Sequence, residues 1–220
     1  MAQVKICGIK DTEMLKHAAR VGADWVGFVM VPASPRNIIG EGPGATDLYY
    51  DLLFAAAELN IRSVALIANA DARTVQILSG AVMPDAIQLH GNETPNVVEE
   101  FRAQFPPSIE IWKAIGVSEA ADLDAALSYT AADRLLLDAK PPKGAEAAGG
   151  HGAVFDWEIL KNWRAPKPWF LAGGLTVENV QTAISATGAT AVDVSSGVER
   201  ERGVKDAALI EQFISAAKEA

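Results

Sequence analysis

Apolar residues fall along this chain in short, nearly continuous runs, each followed by a stretch in which they return every three or four positions. The runs at 2–7, 24–31, 62–68, 85–90, 109–115, 133–138, 168–172 and 190–195 predict β-strands. The periodic stretches at 11–21, 46–59, 71–80, 94–104, 118–128, 156–163, 176–186 and 206–218 predict helices, with Asp11 placed to cap the first and Gly22 to stop it. Strands that are apolar on both faces belong to a parallel sheet covered by helices, and eight βα units in order are the number that closes a barrel. The expectation is an α/β protein, a single (β/α)8 TIM barrel over residues 1–220, with an open doubly wound sheet as the alternative. At 220 residues, somewhat below the ~250 usual for such barrels, there is little room for a second domain. Because the series starts at the first strand and ends at the eighth helix, no fused second enzyme is expected.

Composition narrows the setting. Half of the residues are hydrophobic, which argues against disorder, and the longest apolar runs, such as Trp25 to Val31, fall far short of a membrane span. A cytoplasmic protein without membrane contact is expected. The single cysteine rules out an internal disulfide, and three scattered histidines show no metal-ligand spacing. A net charge of −9 with no basic cluster speaks against nucleic-acid binding, and an anionic ligand must be gripped by local groups against the overall field. Gly173-Gly174 lacks the remaining parts of a dinucleotide fingerprint. Monomer and homodimer are both compatible with the pattern.

Candidate chemistry follows from strand parity. Alternate side chains share a face, so Lys5 pairs with Cys7, Gln88 with His90, Leu136 with Asp138 and Asp193 with Ser195. If those faces line the barrel, Cys7, His90, Asp138 and Asp193 converge at the carboxyl ends of the strands, where such folds carry their sites. Each also has a plainer reading. A lone cysteine is often a small buried hydrophobe, His90 can bond a loop, Asp138 can cap a helix, and Asp193 can pair with a cation on a neighbouring strand. Their shared rim favours one pocket. Ala172-Gly173-Gly174-Leu175 after strand seven and Ser195-Ser196-Gly197-Val198 after strand eight occupy the recurrent phosphate position of these barrels. Two βα loops are long: 32–45, where Arg36 can grip a ligand carboxylate or remain a solvated charge, and 139–155, with His151 in a glycine-rich segment that can act as lid or phosphate contact.

The segments Lys5-Ile6-Cys7-Gly8, Ser34-Pro35-Arg36, Gln88-Leu89-His90-Gly91, Leu136-Leu137-Asp138, Phe155-Asp156-Trp157, Ala172-Gly173-Gly174-Leu175 and Val192-Asp193-Val194-Ser195-Ser196-Gly197-Val198-Glu199 resemble, in order and nearly end to end, those of the phosphoribosylanthranilate isomerases. The resemblance implies a cofactor-free (β/α)8 barrel of tryptophan biosynthesis acting on a small phosphorylated substrate. It implies Cys7 as general base and Asp138 as general acid, Arg36 on the anthranilate carboxylate, and Gly173, Gly174, Ser196 and Gly197 on the phosphate. Asp193 and His90 fall to substrate binding.

The implied reaction is an Amadori rearrangement, which needs an acid at the furanose ring oxygen and a base at C2′ of the sugar. A cysteine serves as base only as thiolate, and with an ordinary value near ~8.5 it needs a positive neighbour, for which Lys5 is the candidate nearest in sequence. The alternatives are another sugar-phosphate barrel, an epimerase or indoleglycerol-phosphate synthase, and a phosphate-binding barrel without catalysis. A broader range that takes in the related histidine-pathway rearrangement also stays open, although a single phosphate grip favours the smaller substrate.

Overall fold

Strands apolar on both faces can be satisfied only by a second layer on each side, and the computed structural model, which describes residues 1–140 and 156–220, supplies both. Strands β1 (Gln3–Cys7), β2 (Trp25–Val29), β3 (Arg62–Ile67), β4 (Ala86–Leu89), β5 (Glu110–Val117), β6 (Arg134–Ala139), β7 (Trp169–Leu171) and β8 (Ala191–Val194) form a closed barrel in sequence order. All neighbours run parallel, and β8 pairs with β1 with Lys5 beside Asp193. That last pairing excludes the open sheet. Around the barrel lie α1 (Thr12–Arg20), α2 (Asp47–Glu58), α3 (Ala72–Leu78), α4 (Pro95–Arg102), α5 (Val180–Thr187) and α6 (Ala207–Glu219).

Parity divides the core in two. Val4, Ile6, Val26, Phe28, Leu135 and Leu137 face outward and are sealed by helix residues such as Leu15, Leu52, Ile210 and Phe213. Inside, Trp25, Val64, Trp112, Leu136 and Phe170 fill the barrel. Trp112 and Phe170 stack with centroids 4.8 Å apart, and Trp25 meets Trp112 edge-on at 4.7 Å. Buried aromatics of this size contribute roughly 1.5–3 kcal/mol each, so the interior is a packed plug and only its upper rim is free for polar groups.

At the opposite rim, three aspartates accept from the otherwise unpartnered N–H at the start of the preceding strand: Asp24 from Val4 at 2.8 Å, Asp85 from Ser63 at 2.7 Å and Asp133 from Ile111 at 2.7 Å. Four of the six α-helix starts among the described residues are closed in the same manner. Asp11, Asp71, Thr94 and Asp206 each accept from a backbone N–H in the first turn.

Three expectations need correction. The stretch 118–128 forms a 3-10 helix, Ala120–Ser128, because the Asp122 carboxylate binds the N–H groups of Ser118 and Glu119 and tightens the turn. After Asp156 there is one 3-10 turn, Trp157–Leu160, and Pro166 and Pro168, each lacking the N–H a longer helix would need, lie between it and β7. Beyond β8 and a 3-10 turn at Ser196–Val198, the chain forms an unexpected hairpin of β9 (Glu199–Glu201) and β10 (Val204–Lys205). Its mostly charged residues carry no strand pattern. The glycine-rich segment with His151 lies outside the described residues.

Candidate active site

A cavity of about 380 Å³ opens at the carboxyl ends of the strands. Cys7, Arg36, His90, Asp138 and Asp193 all line it, and so do Gly173, Gly174 and Ser196. Cys7, His90, Asp138 and Asp193, from four strand ends, are thus brought together as parity predicts. Gly197 is not on the cavity wall: a Cβ there would stand 1.9 Å from the Leu175 carbonyl oxygen, so its bareness lets the loops after β7 and β8 touch. Gly173 has φ +84°, and a Cβ would meet the Ala139 nitrogen at 2.3 Å. Only glycine allows that turn, and Gly174 follows with φ +63°.

A continuous polar chain crosses the upper barrel. Lys5 Nζ lies 3.0 Å from Asp193 Oδ1, a charge contact whose alignment falls short of a hydrogen bond, and donates to Gln88 Oε1 at 2.7 Å. Gln88 Nε2 is 2.7 Å from His90 Nδ1, and His90 Nε2 is 3.1 Å from Asp138 Oδ2. Lys5 and Gln88 are fully buried. Burial opposes the charge of Lys5, but Asp193 and Cys7 together outweigh it and hold the ammonium above its usual range.

The thiol departs from expectation. Burial pushes Cys7 up, Lys5 draws it down, Asp193 pushes it up again, and Lys205 and Arg36 draw it down; the net shift is upward. Lys5 is therefore a partner of the sign expected, yet it does not overcome desolvation. That direction favours the thiol over the thiolate.

Arg36 is not a solvated surface charge. Its side chain is 9% exposed and crosses Gly8, where a Cβ would stand 2.7 Å from Arg36 Cδ. Nor is its forked edge free, because Nε and Nη2 donate to the two oxygens of Glu199 at 2.7 and 2.8 Å. Among the described residues, Nη1 is left for a ligand. Glu199 also accepts from Lys205 at 2.8 Å and from the Gly203 N–H at 2.9 Å. Burial would raise its carboxyl, but Arg36 and Lys205 prevail and hold it at about 2. Lys205 in turn donates to the Ser195 carbonyl, and Ser195 Oγ donates to the Cys7 carbonyl at 3.0 Å. The hairpin thereby ties Arg36 to the strand ends beside the thiol.

Several contributors escaped the sequence reading. The strand period puts Gln88 on the inward face but gives it no role, Glu199 stands only as the end of a signature segment, Lys205 carries no sequence signal, and Arg202, at the tip of the hairpin, lines the cavity with Arg36. Parity applied past β8 had no strand pattern to work on. Among the described residues no group of three or more His, Cys, Asp or Glu is arranged to hold a metal, and no helix is long and apolar enough to cross a membrane.

The model of the N-(5'-phosphoribosyl)anthranilate (PRA) isomerase family matches residues 4–216. The chain belongs to the N-(5'-phosphoribosyl)anthranilate isomerase family. It is similar to the isomerase of Hyphomonas neptunium, 50% identical over 99% of this chain and 98% of that protein, and to that of Paramagnetospirillum magneticum, 46% identical over 98% and 97%. Among solved structures it resembles the Thermotoga maritima isomerase, with TM-score 0.82 and 35% identity over the whole of both chains. It also resembles a phosphoribosyl anthranilate isomerase in complex with reduced 1-(o-carboxyphenylamino)-1-deoxyribulose 5-phosphate, with TM-score 0.82 and 32% identity, again over the whole of both. Membership makes the chain an isomerase of tryptophan biosynthesis, and the epimerase, synthase and non-catalytic alternatives give way to it.

Proposed function

We propose that this isomerase converts N-(5'-phosphoribosyl)anthranilate to 1-(2-carboxyphenylamino)-1-deoxyribulose 5-phosphate with Asp138 as general acid and Cys7 as general base. The observation that carries the reading is that these two side chains, from β6 and β1, line one cavity together with the Arg36 guanidinium and the bare backbone of Gly173 and Gly174. The guanidinium suits the carboxylate of that substrate and the bare backbone its phosphate. Ser196 adds a hydroxyl beside the glycines, while Gly197 contributes by allowing the loops to close. Asp193 and His90, which line the same cavity, orient the sugar and the acid.

Asp138 protonates the furanose ring oxygen, the C1′–O bond breaks, and the nitrogen lone pair forms the Schiff base. Cys7, as thiolate, then removes the proton from C2′ to give the enolamine. Collapse to the ketone adds a proton at C1′ and removes the one on the C2′ hydroxyl, which returns acid and base to their starting states. A thiol raised by burial is seldom ionised at neutral pH but is a stronger base when it is, which suits a carbon acid. The same reading has the protein act in the cytoplasm as one (β/α)8 domain, monomeric or homodimeric, on this small phosphorylated substrate without nucleic acid or cofactor. Its net charge of −9 is in keeping with that.

Turnover of phosphoribosylanthranilate generated in place tests the assignment. Cys7→Ala and Asp138→Asn should each lose at least about 10²- to 10⁴-fold in kcat while melting as cooperatively as the parent. A folded Cys7→Ala protein with parental turnover removes Cys7 from the mechanism.

A further inference from the structure

The polar chain across the barrel contains more information than a set of contacts, because two of its members can only donate where they touch. Lys5, an ammonium with three donors and no acceptor, faces Gln88 at 2.7 Å. The Gln88 atom toward it is therefore the carbonyl oxygen, and the amide nitrogen points the other way. That nitrogen also has no acceptor capacity, and it lies 2.7 Å from His90 Nδ1. Nδ1 must accept, so it carries no proton. A neutral imidazole then holds its proton on Nε2, which is 3.1 Å from Asp138 Oδ2. Oδ2 in turn accepts.

We infer that the buried Lys5–Gln88 pair locks His90 in the Nε2–H tautomer, and that His90 by occupying Oδ2 reserves Oδ1 of Asp138 for the proton that catalysis transfers. The other arrangements fail locally. A proton on Nδ1 would oppose the Gln88 N–H at 2.7 Å, and turning the amide would set its nitrogen against the ammonium. Gln88 is fully buried, so water offers it no other partner. Among the described residues no group hydrogen-bonds Asp138 Oδ1, and Asp138 lines the cavity. Gln88 and Lys5 are on this account positioning residues. The tautomer rests on donor and acceptor geometry alone, and the reservation of Oδ1 rests on the proposed role of Asp138.

Long-range 1H–15N correlation spectra of the histidine rings in the intact, unliganded protein read the tautomer directly, with His90 assigned by the signals lost in His90→Gln. The parent should show an unprotonated Nδ1 and a protonated Nε2. Gln88→Glu keeps size and offers an acceptor on both sides, so Nδ1 should become protonated and kcat should fall about 10²-fold, the scale of an impaired general acid, with KM little changed. Should that variant fold poorly, Gln88→Met, which neither donates nor accepts strongly, should let both tautomers appear. A protonated Nδ1 in the parent, or an unprotonated one in Gln88→Glu, overturns the lock. Altered spectra with parental kcat overturn the reservation of Oδ1. A locked tautomer in a parent without isomerase turnover upholds the lock and refutes Asp138 as the acid of this reaction.

Discussion

Glu199→Gln removes one charge from a buried cluster of three and should be felt both in stability and in substrate binding. The Glu199, Arg36 and Lys205 side chains are 3%, 9% and 4% exposed, so water screens them little. The carboxyl is held at about 2, against a starting value of 4.5, and with ~1.4 kcal/mol per unit this corresponds to roughly 3 kcal/mol in favour of the folded state. Because the folded value is the lower one, that contribution is complete above pH 4.5 and is lost as pH falls through about 2. Substitution also leaves two buried cations without a counter-charge, which sets the expected loss at about 3–5 kcal/mol at pH 7. Urea unfolding of both proteins from pH 7 to pH 3 measures it. The pH-dependent part of the gap should be level down to about pH 5 and roughly halved at pH 3. Arg36, released from its carboxylate, should raise KM for phosphoribosylanthranilate by about tenfold, the equivalent of ~1.4 kcal/mol. A loss below about 1 kcal/mol at pH 7, or a gap indifferent to pH, would refute the cluster as described.

Alkylation of Cys7, the only cysteine, should accelerate with pH and reach half its limiting rate above the ordinary thiol value; Lys5→Met, which removes the strongest lowering influence, should move that midpoint higher still. A midpoint below that ordinary value in the parent would mean that the local cations outweigh burial. Gly173→Ala places a Cβ 2.3 Å from the Ala139 nitrogen at φ +84°, so it should reduce binding of inorganic phosphate and lower the Tm by several degrees, at a cost of about 1–3 kcal/mol. Unchanged phosphate titration and melting would show that the loop adapts freely. Arg202→Ala removes a cation from the cavity rim and should raise KM about fivefold, near 1 kcal/mol, at unchanged kcat; an unaltered KM would exclude Arg202 from the ligand's carboxylate end.

Much of the architecture was written in the local pattern. Strands buried on both faces must be apolar throughout, so β1 to β8 stood out as runs, and their period of two put Cys7, His90, Asp138 and Asp193 on inward positions at the correct end. The glycine loops after β7 and β8 were legible for the same reason, since a positive φ such as that of Gly173 leaves a mark in residue type. The 3-10 segments and the hairpin at 199–205 were not, because side-chain tethers and ion pairs shape them rather than any apolar period.

What the sequence by itself determined is therefore the element order, the closed barrel and the inward-facing set at its rim. Only the tertiary structure decided how those groups are charged and oriented. Arg36 meets Glu199 across 163 positions, and Lys5 meets Gln88 across 83 and Asp193 through the closing pair of strands. The sign of the shift at Cys7 is a sum of burial and four charges from different parts of the chain. Burial of a face follows from neighbours along the strand, whereas electrostatic energy follows from distance in space, and the barrel sets those distances only when β8 meets β1.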